Sequence, residues 1–237
     1  MSNLYAARMA RSSGEKGEEN HMNPGFAREQ MIKQQIRAGA VLEANILDAI
    51  ASVNRENFVP IEYAGVAFAD CNIPLAHGQC MMSPLLEGKL LQALGPRADD
   101  EVLEVGTGSG FLAACLATLS GQVHSVEIFP DLTRMAQTNL DRSGVDNVTL
   151  TTINALQLDA ERKYDVIAVT ASLPEYDQRF ALALKPGGRL FVIVGEEPIM
   201  RARLVTRIGD DEWLTDQLFE TVITPILEAA APDRFRF

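Results

Sequence analysis

Apolar residues recur at helical spacing from Phe26 to Val53: Met31, Ile32 and Ile36, then Val41 and Leu42, then Ile46, Leu47, Ile50 and Val53. Gly39 divides this stretch into two helices, and Pro60 stops the second. Residues 67–84 mix turn formers with few strand signals and hand over to a helix from about Pro84 to Leu94. Ser83 before Pro84 reads as an N-cap with proline at the first helical position. The pattern then alternates between short apolar runs and helical faces. Val102, Leu103 and Val105 form a buried strand, and Phe111, Leu112, Cys115, Leu116 and Leu119 one face of a helix over 111–120. A strand over 122–127 follows, then a helix over 130–144 ended by Gly144, and a strand over 147–152.

The run over 164–170 is almost wholly apolar, which predicts a central strand with residues 171–174 as the loop at its end. Thr170 and Ser172 are candidate lining residues there, because ligands of open α/β sheets bind beyond the carboxyl ends of the strands. A helix over 178–184, a tight turn over 185–188 and a strand over 189–194 come next. Stretches 202–208 and 216–224 read as two strands linked in a hairpin. Strands alternating with helices predict an α/β fold with a doubly wound, mostly parallel sheet. The helices of residues 25–84 read as a cap over the acceptor side of the site, or equally as a plain structural subdomain. Residues 1–24, rich in Ser, Gly, Glu, Asn and Arg, read as a mobile arm. Residues 25–237 then form a single domain whose core spans 85–237.

The chemistry centres on residues 104–110. Gly106, Gly108 and Gly110 follow a strand and open a helix, so backbone N–H groups face a spot that a ligand can approach closely. The spacing departs from the dinucleotide pattern, whose third glycine comes one residue later. Glu104, two residues before the turn, would repel a pyrophosphate but suits a ligand with an amino group or a sulfonium. Glu127, at the end of the next strand, is placed to accept from both hydroxyls of a ribose.

The net charge of −11 disfavours nonspecific nucleic-acid binding, which relies on lysines and arginines. No apolar run is long enough to cross a bilayer, and the N-terminus lacks an apolar signal core, so a cytoplasmic protein is expected. Three cysteines, Cys71, Cys80 and Cys115, form neither a C-x-x-C pair nor a disulfide framework. His21, His77 and His124 stand at no metal-ligand spacing, and His77, in the acceptor loop, reads either as a substrate contact or, more commonly for a loop histidine without a partner, as incidental.

Glu104 to Gly110, Glu127 and the turn over 185–188 together resemble class I S-adenosylmethionine-dependent methyltransferases. Residues 27–31, 54–60, 67–70 and 73–79 narrow the resemblance to protein L-isoaspartate O-methyltransferases, a likeness that runs from about Ala27 to the C-terminus. It implies a Rossmann-like methyltransferase fold, S-adenosyl-L-methionine as cofactor, and protein or peptide substrates carrying isoaspartyl residues. Carried over residue by residue, it assigns Glu104, Gly106, Thr107, Gly108, Gly110, Glu127, Ile128, Asn154, Ala155 and Thr170 to the cofactor. Asn154 stands where the family has an aspartate that accepts from the adenine amino group, and its amide oxygen can still accept.

The acceptor loop departs further from the family. Its Gln-Thr-Ile-Ser-Gln-Pro segment matches here only at Gln79 and Pro84, with Cys80 at the threonine and Met82 at the serine. A thioether donates no hydrogen bond. Gln79, Cys80 and Met82 are therefore the expected acceptor-side residues, with Ser83 or Cys80 left to reach the space of the missing hydroxyl. Three readings follow: isoaspartyl carboxyl methylation, the same chemistry on another acceptor such as a small molecule, and a non-catalytic binder of the cofactor.

Overall fold

The computed structural model describes residues 23–158 and 161–229. Most of the expected arm, and His21 with it, therefore lies outside the described residues. Helix α1, Pro24–Met31, opens on the Asn23 side chain, which accepts from Gly25 N at 3.0 Å. It runs on through a π-helical turn, Ile32–Ile36, before α2, Ala44–Ser52. A two-stranded hairpin of β1, Ile73–Pro74, and β2, Cys80–Met81, leads into α3, Pro84–Leu94.

The core alternates as expected: β3 (Glu101–Val105), α4 (Phe111–Leu119), β4 (Gln122–Glu127), α5 (Pro130–Arg142) and β5 (Val148–Thr152). Then come β6 (Tyr164–Leu173), α6 (Gln178–Leu182), β7 (Leu184–Glu196), β8 (Ile199–Gly209) and β9 (Glu212–Thr221). One seven-stranded sheet has the order β5-β4-β3-β6-β7-β8-β9. The ladders from β5 to β7 are parallel, and β8 and β9 add antiparallel. Because β3 is flanked by β4 on one side and β6 on the other, its carboxyl end is the switch point where such sheets hold ligands.

Several boundaries differ from the sequence reading: β7 takes in the expected turn over 185–188, β8 and β9 begin earlier than expected, and three further shifts have a tertiary reason. Strand β6 runs past Thr170 to Leu173, because after a bulge Ser172 and Leu173 pair with Ile193 and Val194. Helix α6 stops at Leu182, two residues early, since Leu184 is drawn into pairing with Tyr164. Strand β9 ends at Thr221, which frees residues 222–227 to cross the mouth of the switch point.

Helices α1 and α2 pack against the sheet. Their buried residues Met31, Ile36, Ile46 and Ile50 join Leu90, Leu91 and Leu116 in one apolar cluster on a sheet face. None of residues 24–66 lines the cleft described below. This helical layer is thus part of the main core. Among the described residues, no helix is long and apolar enough to cross a membrane.

Candidate active site

The turn after β3 is fixed by its own backbone. Gly106 N and Thr107 N both donate to Val126 O on β4, at 2.8 and 3.3 Å. Gly106 has φ +95°, and a Cβ there would fall 2.4 Å from Thr170 Oγ1. Gly110, φ +87°, precedes α4, and its missing side chain lets α5 approach, with Ala136 Cβ only 3.2 Å from where a Cβ would be. The first glycine thus serves close approach at the cleft, and the third serves packing between helices.

Glu127 ends β4 and ties this turn together. Its Oε2 accepts from Gly108 N at 3.0 Å, and its Oε1 from Ile128 N and Phe129 N at 2.9 and 3.1 Å. Each carboxylate oxygen has two lone pairs; Oε1 already takes two donors, so the capacity left toward the cleft is on Oε2. Around it the cleft is walled by Ile128, Phe129, Ile153, Asn154 and Ala155 on one side and by Gly106, Gly108 and Thr170 on the other. Asn154 Oδ1 already accepts from Leu156 N at 2.9 Å, and its amide nitrogen donates to Glu228 Oε2 at 2.6 Å. Thr170 Oγ1 lies 2.8 Å from Val105 O and 2.9 Å from Gly106 O, so its one hydrogen is committed to the turn.

Glu104 and Thr107 lie one layer deeper, facing a small recess shared with Met82, Glu87, Phe111 and Thr170. Ser125 Oγ donates to Glu104 Oε2 and lies 2.6 Å from Thr107 Oγ1. Glu104 Oε1 is buried with no hydrogen-bond partner among the described residues. Burial pushes this carboxyl up to about 8, opposed by the Ser125 hydrogen bond and assisted by the charges of Glu127 and Glu87. Neighbouring Glu87 is raised to about 7 by burial, against the pull of Arg55.

These two acids predict how stability depends on pH. Between pH 4.5 and about 7 for Glu87, and about 8 for Glu104, the native state holds protons that the unfolded chain has released. Stability should therefore fall as pH rises through this window, by up to about 1.4 kcal/mol per pH unit for each group. Urea unfolding from pH 5 to 8.5 measures it, and Glu104→Gln should flatten the slope above pH 7. Equal slopes in the variant and the parent above pH 7 would contradict the assignment of Glu104.

On the acceptor side, Leu75, Gln79 and Cys80 line the cleft, while Met82 is turned inward at 5 % exposure. Arg55, fully buried, holds the loop by donating to Met82 O at 2.7 Å. Ser83 does stand at the N-cap of α3, but its hydroxyl makes no capping bond and it lines neither the cleft nor the recess. The free N–H groups of Ser83 and Leu85 are instead taken by Asn72 Oδ1 and Asp70 Oδ1, at 3.1 and 3.2 Å. Ser172 is likewise not a lining residue. It is fully buried and pins the chain beyond β9, donating to Thr224 O at 3.0 Å and accepting from Ile226 N at 2.8 Å.

His77 has a partner after all: its Nε2 lies 2.9 Å from both oxygens of Asp131, and its ring stacks on Phe129 at 4.0 Å. Hydrogen bonding to His77 lowers the pKa of Asp131. The loop over β1–β2 is thereby latched to α5 at the edge of the cleft. Sequence reasoning missed this latch and the lining segment Ile223, Thr224, Pro225, Ile226 and Leu227. Among the described residues, no group of three or more His, Cys, Asp or Glu is placed to hold a metal.

A parallel sheet with a glycine turn at its switch point, one acid under the turn and another at the end of the next strand define a class I methyltransferase fold. Solved structures agree, including one of a protein-L-isoaspartate O-methyltransferase from Plasmodium falciparum in complex with S-adenosyl-L-homocysteine. It superposes with a TM-score of 0.74 at 20% identity, over 84% of this chain and 97% of that one. The family is defined by sequence: the profile of Protein-L-isoaspartate(D-aspartate) O-methyltransferase (PCMT) matches residues 26–231, and the chain belongs to that family. The protein-L-isoaspartate O-methyltransferase of Aeropyrum pernix is 32% identical, over 85% of this chain and 79% of its own length. That of Methanoculleus marisnigri is 39% identical, over 79% of this chain and 86% of its own.

Proposed function

We propose that this chain is an S-adenosyl-L-methionine-dependent methyltransferase that esterifies the free carboxylate of L-isoaspartyl residues in proteins or peptides. The observation that carries this reading is Glu127, which lines the cleft and whose carboxylate ties the glycine turn, through Gly108 N, to the backbone of Ile128 and Phe129. The residues fit the cofactor: Gly106 leaves backbone bare where a Cβ has no room, and buried Glu104 keeps an unpartnered oxygen beneath the turn.

In this reading Glu127 accepts from the ribose hydroxyls, while Ile128, Phe129, Ile153 and Ala155 wall the adenine. Asn154 offers its remaining acceptor capacity to the base edge. Gly106 and Gly108 carry the chain close to the methionyl portion, with Glu104 and Thr107 below them. S-adenosylmethionine, when bound, supplies a methyl group on a positively charged sulfur, which a nucleophile attacks in line. A carboxylate acceptor is ionised near neutral pH, so the protein has no proton to remove. Its contribution is alignment and exclusion of water, worth up to roughly 7 to 11 kcal/mol in well-oriented systems. The loop of residues 75–80 and the segment of residues 223–227 are the parts that cover the cleft.

A second reading, a different acceptor, is favoured by one observation: the side chain at the family's serine position, Met82, is buried and lacks a donor. Tritiated methyl transfer to an isoaspartyl peptide and to its aspartyl control separates the two, with S-adenosylhomocysteine affinity measured alongside by calorimetry. Transfer to the isoaspartyl form alone is the expected result. Tight cofactor binding with no transfer to either peptide would reject isoaspartate as the acceptor.

A further inference from the structure

An acceptor carboxylate needs a donor to hold it, and the side chains of the loop that should provide one offer only the weakly donating Cys80 thiol. Met82 has no donor and lies buried at the recess beneath the turn, and Ser83 lies off both cleft and recess. Thr170 has spent its hydrogen on the carbonyls of Val105 and Gly106. Gln79 Nε2 is turned back to His77 O at 3.3 Å. One side-chain hydroxyl in the cleft lining remains weakly engaged. Among the described residues, Thr224 Oγ1 meets only Cys80 Sγ, at 3.6 Å, across the gap between the acceptor loop and the segment beyond β9.

We propose that Thr224 is the substrate-positioning residue of this chain, its hydroxyl donating to the acceptor carboxylate in place of the group lost at Met82. The inference deepens the isoaspartyl reading and rests on it. Three features support the assignment. A thiol is a weak hydrogen-bond partner, so exchanging it for an ionised carboxylate strengthens the hydroxyl's interaction. The backbone of Thr224 is held in place: Ser172 N donates to its carbonyl, Ile226 N donates to Ser172 O, and Ile223 N donates to Met200 Sδ at 3.4 Å. Such anchoring presents the hydroxyl at a fixed position, which is what alignment of a nucleophile requires. Third, its contact with Cys80 places it against the acceptor loop itself, at the position where the family's threonine stands.

The test compares Thr224→Val, which keeps the shape and removes the hydroxyl, with Thr224→Ser, which keeps the hydroxyl. Three measurements are made on each: S-adenosylhomocysteine affinity, thermal midpoint, and affinity of an isoaspartyl peptide for the S-adenosylhomocysteine-saturated protein, the last alongside kcat/KM. Thr224→Val should lose 10- to 100-fold in peptide affinity and in kcat/KM, with cofactor affinity and midpoint unchanged, and Thr224→Ser should recover most of the loss. Unchanged peptide affinity and turnover in Thr224→Val overturn the proposal while leaving the isoaspartyl reading intact. A parallel loss of S-adenosylhomocysteine affinity also overturns it, since the hydroxyl would then serve the cofactor. If the parent protein neither binds nor methylates the peptide, the isoaspartyl reading itself fails, and this assignment with it.

Discussion

Arg55→Ala should destabilise the protein by about 3 to 5 kcal/mol, the range expected when one member of a buried ion pair is removed. Arg55 has no exposed surface, and its guanidinium is spent entirely on internal partners. It donates to Ala67 O at 2.9 Å, to Met82 O at 2.7 Å and to Glu87 Oε2, and it lies 4.6 Å over the Phe111 ring. Truncation strands two backbone carbonyls and a carboxyl in a site water reaches poorly. Glu87, already raised by burial, would respond by holding its proton more tightly, which limits the loss but leaves the carbonyls unpaired. Because Met82 O anchors the loop that carries Cys80 into the cleft, methyl transfer should fall along with the urea midpoint. A loss below about 1 kcal/mol would show that the arginine is dispensable to the fold.

Arg55 also marks where sequence reading ran out. The β3–turn–α4 unit and the acid at the end of β4 were legible because each is local: a buried run, glycines that open a helix, and a charged strand terminus lie within a few residues of one another. Long-range pairings leave no such period. The segment that closes the cleft is set by Ser172, whose hydroxyl donates to Ile223 O from 51 residues away, and nothing in residues 222–227 announces that docking. His77 finds Asp131 across 54 residues, so its pairing is invisible to spacing. Helices α1 and α2 were legible as helices from their apolar stripes. A stripe says that a face is buried and not against what, and theirs meets α3 and α4. Ser83 was placed correctly in the chain, yet Asp70 had taken the Leu85 amide that its side chain was positioned to serve.

The glycine turn gives the second large effect, and its members should differ in a way their shared identity conceals. Gly106→Ala should weaken S-adenosylhomocysteine binding by about 100-fold or more, equivalent to roughly 2.7 kcal/mol. Two penalties add: φ of +95° lies outside the left-handed basin that an alanine tolerates, and the new Cβ would meet Thr170 Oγ1 at 2.4 Å. The threonine would have to give up its bonds to Val105 O and Gly106 O, which help fix the turn against β6. Gly108→Ala is the control, since φ there is +54°, within that basin, and the nearest atom is the end of the Leu75 side chain at 3.3 Å. Its cost should be near 1 kcal/mol, about fivefold in affinity. Adding Thr170→Ala to Gly106→Ala removes the clash and leaves the backbone strain, so the double variant should regain part of the affinity and not all of it. Calorimetric titration of the four proteins decides the matter. Equal losses at the two glycines would mean that the turn's conformation, rather than its approach to Thr170, sets the requirement for glycine.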